Sequence, residues 1–247
     1  MSAAPDLFRL RAELERRFGG AILPRPGQPA EAAPPGFATG VWMLDALVPE
    51  GVPRRAISLW TGQATSGRTA ALRLVVERAC ALGERVALVD ATRTLDAAAW
   101  CAGGSSAPGL WVARPPTAGS ADEGAWVAEA LLRTGAFALV VLDGPPPAPV
   151  EAHRLRALAR ETGAAILVSS ETDHAGWRAD VRLEFRRGPG GGAGLRVGGR
   201  FRRRGGVRVA KGTGARTGER ELELVHEPPH RLHTGPFAPD RRAPARA

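Results

Sequence analysis

The sequence predicts an α/β domain with a mostly parallel sheet flanked by helices, an N-terminal helix ahead of it and a small basic extension behind it. Three observations predict it. Short apolar runs alternate with segments of helical periodicity between residues 56 and 187. One run, residues 137–143 (FALVVLD), is apolar enough to be buried on both faces, as strands of a covered parallel sheet are. A glycine-bearing loop, residues 61–68, joins the first apolar run to the first long helix.

The elements follow in order. Leu7, Leu10, Leu14 and Phe18 recur at helical spacing with charges between them, so residues 7–18 read as a short amphipathic helix stopped by Gly19 and Gly20. Its apolar stripe packs either on its own domain or on a neighbouring protein. Residues 24–35, rich in Pro, Ala and Gly, read as a linker. Residues 37–47 open the core. Strands are expected at 56–60, 85–90, 110–113, 137–143 and 164–169, and helices at 69–82, 95–101, 123–134 and 150–162. The alternating stretch 181–186 (VRLEFR) suits a strand at the sheet edge. After the glycine-rich linker 189–194, residues 195–210 and 219–226 suit a small antiparallel set, and the Pro, His and Arg content from 227 onward suits an extended or disordered tail. The chain therefore divides into residues 1–35, a core at 36–187, and an extension at 188–247.

Composition narrows the class. Apolar residues make up 44% and charged residues 24%, as in soluble globular proteins. The apolar runs fall far short of the roughly 20 residues that span a bilayer, and the N-terminus carries no basic region followed by an apolar one, so neither membrane insertion nor secretion is expected. Cys80 and Cys101 lack zinc or disulfide spacing and fit small buried residues in a reducing cytoplasm. Lys211 is the sole lysine, and the abundance of Arg, Ala, Gly and Pro reflects GC-rich coding more than arginine chemistry. The placement of charge says more. From Arg186 to the end there are 15 Arg and Lys against 5 Asp and Glu, a net of +10, while the rest of the chain carries −1. Such asymmetry suits a polyanionic partner, nucleic acid first, or a solvated tail.

The sharpest motif is Gly62-Gln63-Ala64-Thr65-Ser66-Gly67-Arg68-Thr69, between a strand and a helix. That is the context of the phosphate-binding P-loop, in which inward backbone amides and a helix N-terminus cradle an anion. Gly62, Ser66, Gly67, Arg68 and Thr69 are the candidate nucleotide-binding residues, with Thr69 as a magnesium ligand. The departure is Arg68, a wide planar fork where the motif has a compact lysine. Leu139-Val140-Val141-Leu142-Asp143 reads as the second nucleotide motif, an apolar strand ending in an acid. It places Asp143 at the carboxyl end of a strand beside the P-loop. The plainer reading of Asp143 is a turn cap.

The order of these features resembles the RecA family from about residue 7 to residue 187. Ala38-Thr39-Gly40-Val41-Trp42-Met43-Leu44-Asp45-Ala46-Leu47 resembles the phrase that precedes the family's core, and Gly51-Val52-Pro53 its entry to the first core strand. Leu88-Val89-Asp90-Ala91 resembles the strand that carries the family's catalytic glutamate, and residues 181–187 its last core strand. The resemblance implies a RecA-like core with ATP and magnesium as ligands. The departures bear on activity. Thr92 stands where the glutamate is expected, and a threonine is no carboxylate base for water. The segments after Asp143 and between residues 169 and 181 are too short for the family's DNA-binding loops. These losses resemble the ImuA family, RecA-like proteins of damage-inducible mutagenesis cassettes, as do residues 96–100 and 124–132. That resemblance implies an accessory role in translesion synthesis within the SOS response, with an ImuB-like polymerase-family protein and RecA as partners. The RecA resemblance implies association with further copies, or with RecA itself, through the N-terminal helix, and the departures at Arg68 and Thr92 imply no catalytic residue.

The basic segment offers a second site. Arg200, Arg202, Arg203, Arg204, Arg208 and Lys211 would bind nucleic-acid phosphates, single-stranded DNA included, and Phe201 would stack on a base. The plainer reading is an arginine-protected sheet edge. His226, His230 and His233 lack metal spacing, and no metal site is expected. Two alternatives to the accessory role stay open. One is a working ATPase using Arg68 with Asp90 or Glu171 as base. The other is a simple nucleic-acid-binding protein with a relic P-loop.

Overall fold

The computed structural model describes residues 36–96, 100, 109–173, 177–187, 195–197, 200–211 and 218–226. The helix expected at 7–18, the linker at 24–35, most of the helix at 95–101, Cys101, the linker at 189–194 and the tail from 227 lie outside the described residues. The strands are β1 Ile57–Thr61, β2 Val86–Asp90, β3 Leu110–Ala113, β4 Leu139–Asp143, β5 Ala165–Ser170, β6 Val181–Arg187, β7 Leu195–Val197, β8 Arg200–Lys211 and β9 Gly218–His226. The helices are α1 Trp42–Leu47, α2 Arg68–Ala81, α3 Ala121–Arg133 and α4 Pro149–Thr162.

Among the described residues, nine strands form one sheet. Six run parallel in the order β3-β2-β4-β5-β1-β6, and β8 then pairs antiparallel with β6, β7 and β9. Every residue of β1, β2, β4 and β5 is buried. Helices on both faces require this, and it explains why these strands read as unbroken apolar runs. The pleat sends alternate residues to opposite layers. Trp60, Leu88, Val141, Leu167 and Leu183 pack with Leu44, Leu72, Val75 and Val76 on the side of α1 and α2. Leu59, Val89, Leu142, Ile166 and Val168 pack with Ala128, Leu132, Leu155 and Ala159 on the side of α3 and α4.

Local chemistry sets the ends of the helices. The Ser120 hydroxyl accepts from the Glu123 amide at 3.2 Å, so α3 starts at Ala121, ahead of the expected residue 123. Pro149 opens α4, the Glu151 carboxylate accepts from the Ala148 amide at 2.9 Å, and Gly163 ends the helix at φ 79°.

Two expectations are corrected. The alternating strand 181–186 is not an edge: β6 pairs with β1 on one side and β8 on the other. Its alternation arises because Val181, Leu183 and Phe185 are buried while Arg182 and Glu184 between them are only partly covered. The strand that ends in Asp143 is not next to the P-loop strand either. β5 lies between β4 and β1, pairing with both. Strand order is set by side-to-side pairing, which a linear motif does not encode.

Candidate functional site

The P-loop hangs between the end of β1 and the start of α2. Thr61 and Gly62 lead out of the sheet, and Gly67 caps α2 with φ 94°. Thr65 also takes a positive φ, 66°, a conformation that costs a non-glycine residue about 1 kcal/mol or more. Gly62 has no room for a side chain: a Cβ there would stand 2.6 Å from the Phe185 carbonyl oxygen and 2.8 Å from the Ser66 hydroxyl. Phe185 in turn packs on Trp60, with ring centroids 5.4 Å apart. The last core strand thus forms one wall of the loop.

Five of the sequence-predicted nucleotide residues lie on this loop, and Asp143 stands across from it at the end of β4. Ser66 and Arg68 are buried and Thr69 is exposed on the first turn of α2. Arg68 folds back into the loop. It is 8% exposed, and its Nη1 donates to the Gly62 carbonyl. Its Nε and the Ser66 hydroxyl are buried without a hydrogen-bond partner. Burial lowers the Arg68 pKa, while Asp143 and Glu171 act to raise it. The same pair is felt from the other side. Burial raises the Asp143 pKa, against the Ser169 hydroxyl and the Arg68 charge, which lower it, and Asp90 and Glu171 add to the rise. Desolvation is the largest effect on both residues, so the arginine and the carboxylates offset one another inside the fold.

Asp90 is fully buried at the end of β2, in register with Asp143. Its carboxylate accepts from the Thr94 amide at 3.1 Å, the Leu95 amide at 3.3 Å and Arg114 Nε at 3.0 Å. Arg93, at φ 59°, donates to the Pro115 and Pro116 carbonyls, and the Thr92 and Thr94 hydroxyls are 2.7 Å apart. The loop that carries Thr92 is thus tied down by its own side chains. Ala91 presses on Gly144, where a Cβ would stand 2.7 Å from the alanine's own.

Beside the loop opens a cleft of about 350 Å³ lined by Gly62, Gln63, Glu171, Asp173, Glu184, Phe185 and Arg187 among others. Sequence reasoning missed Arg187. Its Nε and Nη2 donate to the Ala64 carbonyl at 3.0 and 2.8 Å, so the end of β6 grips the crown of the P-loop. Its position in the last strand was legible; the contact, 123 residues away in sequence, was not.

The second predicted site is spread along β8. Arg208 is held by the Glu184 carboxylate, with contacts from 2.8 to 3.1 Å. Lys211 is exposed at the strand's end, in register with Arg182. Arg200, Arg202, Arg203 and Arg204 lie on the stretch of β8 beyond the end of β6, because Arg187 pairs in register with Gly205. Glu219 and Glu223 of β9 stand in register with Arg208 and Arg204. Among the described residues, the densest run of basic positions is therefore the start of β8. Cys80 is buried in the core, and burial, with Glu77 nearby, pushes its thiol up to about 11. Among the described residues, no group of three or more His, Cys, Asp or Glu side chains is placed to hold a metal ion, and no helix is long and apolar enough to cross a membrane.

No protein-family model matches the chain. Curated relatives do. Protein RecA of Caldanaerobacter subterraneus subsp. tengcongensis is 35% identical over 133 residues, covering 53% of this chain and 38% of the relative. Protein RecA of Saccharopolyspora erythraea is 32% identical over 148 residues, 58% of this chain and 42% of the relative. Protein RecA of Desulfotalea psychrophila is 32% identical over 133 residues, 53% of this chain and 37% of the relative. The chain thus spans about two fifths of the length of the curated relatives it matches. Parallel core, P-loop and sequence agree in one statement: over about half its length this chain is homologous to RecA, and its core is RecA-like.

Proposed function

We propose that the protein is a RecA-like accessory factor of the bacterial DNA-damage response that binds partners without turning over ATP. The observation that carries this reading is Arg68, buried in the P-loop on the Gly62 carbonyl and within electrostatic reach of Asp143 and Glu171. A nucleotide's phosphates and a divalent ion would need that same space and those same carboxylates. Arg68 supplies the positive charge itself, so the residues present do not fit a magnesium nucleotide. The base for water is missing too. Thr92 has no carboxylate, and Asp90 is fully buried with its oxygens committed to Thr94, Leu95 and Arg114.

The partners follow from the likeness to ImuA: an ImuB-like polymerase-family protein and RecA, in translesion synthesis in the cytoplasm. Single-stranded DNA is the partner for the basic start of β8. The test combines partner capture with site variants. The ImuB-like protein and RecA should bind the wild type, Thr69→Ala and Asp143→Ala equally well. ATP hydrolysis at a RecA-like rate, stimulated by single-stranded DNA and lost in both variants, would restore the working-ATPase reading.

A further inference from the structure

The contact between Arg187 and the P-loop carries a consequence for the basic strand. Arg187 is exposed, yet its guanidinium gives two hydrogen bonds to one neutral acceptor, the Ala64 carbonyl. A neutral carbonyl is a weak partner for an arginine fork, whose preferred partners are carboxylate and phosphate. Gly205 stands opposite Arg187 in register, and a Cβ on it would meet the Arg186 carbonyl oxygen at 2.9 Å and the Ser66 carbonyl oxygen at 3.2 Å. β8 therefore passes directly against the P-loop, and only a glycine permits the approach. Immediately before Gly205 come Arg204, Arg203 and Arg202. The richest run of positive charge in the chain thus starts where Arg187 holds the loop.

We propose that Arg187 is a latch shared between the P-loop and a nucleic-acid phosphate, closed on Ala64 in the free protein and drawn off it when a single strand lies along the start of β8. The proposal rests on the reading of β8 as a nucleic-acid surface. A phosphate beside Arg204 outcompetes the Ala64 carbonyl for the guanidinium because it is charged and takes both N–H donors in parallel. Releasing Ala64 loosens the crown of the loop, where among the described residues the Ser66 amide still donates to the Gln63 carbonyl at 3.1 Å, while the Gly62 amide holds its base on the Ser170 carbonyl at 3.2 Å. The loop then reports occupancy of the basic strand, in place of a nucleotide.

The experiment uses the full chain and an oligo-dT strand, with two readouts: fluorescence anisotropy for binding and hydrogen exchange of amides 63–66 for the latch. Wild type, Arg187→Ala and the control Arg133→Ala, a half-exposed arginine on α3, are compared after melting curves show that all are folded. The latch requires that amides 63–66 exchange several-fold faster in Arg187→Ala than in wild type without DNA. It also requires that oligo-dT speed them in wild type, with no further effect in Arg187→Ala. Losing this contact should lower the salt dependence of binding by roughly 0.7 in the slope of log affinity on log salt, with Arg133→Ala unchanged. Binding without any change at 63–66 overturns the latch and leaves the basic-strand reading standing. Absence of binding by the wild type overturns both.

Discussion

In the proposed function, Arg68 is the residue that decides what the P-loop can do. Lysine is a compact charge on a thin stem, whereas the Arg68 fork reaches the Gly62 carbonyl and fills the loop. Arg68→Lys should therefore open the space and give saturable magnesium-ATP binding that wild type lacks, read by titration with a fluorescent analogue. Asp143 gives a prediction with a definite sign. Its folded pKa is raised, so ionising it costs more in the folded chain than in the unfolded one. The stability it contributes is complete below the usual aspartate range and is lost as pH rises through the raised value. Asp143→Asn should thus gain stability relative to wild type as pH rises from below the ordinary aspartate pKa of about 3.9 to neutrality. Urea unfolding at both ends checks this, and a relative loss at the upper end would mean that attraction to Arg68 outweighs burial. Asp90 gives a prediction from its hydrogen bonds, which come from the Thr94 and Leu95 amides and Arg114. Asp90→Ala removes the acceptor of two amides and should cost about 1–3 kcal/mol in thermal or denaturant unfolding. The motif residues Gly62 to Thr69 and Asp143 were legible in the sequence because their chemistry is local. The fold-back of Arg68 and the grip of Arg187 on Ala64 were not, since each depends on where a side chain meets a distant strand.

At the scale of elements, periodicity carried far and pairing did not. The buried strands β1, β2, β4 and β5 were readable as unbroken apolar runs, and the helices by their repeating apolar stripe. Their ends moved by a residue or two where caps such as Ser120 intervened. Ser120→Ala should cost about 1 kcal/mol, measured by denaturant unfolding. The misplacement of β6 at an edge has a physical cause: half-covered strands alternate whether or not another strand lies beside them. β8 supplies that neighbour, and a Cβ at Gly205 would collide with the backbone of β6. Gly205→Val should loosen the join between β6 and β8. Hydrogen exchange should show faster exchange in residues 183–187, while β2 and β4 keep their protection.

For the whole molecule, the charge asymmetry read from the sequence acquires a location. The chain before Arg186 is close to neutral, and part of the positive excess, Arg200 and Arg202 to Arg204, lies on the stretch of β8 just before Gly205 meets the P-loop. A RecA-like core whose P-loop holds its own buried arginine, with β8 passing against that loop at Gly205, is what supports the proposal of binding without turnover. The most direct measurement of this account is the titration of wild-type protein with a fluorescent ATP analogue and magnesium, followed in the same sample by phosphate release with and without single-stranded DNA. The account predicts no saturable binding and no release above background. Tight binding with DNA-stimulated release would contradict it, and would mean that Arg68 swings out of the loop to admit the nucleotide.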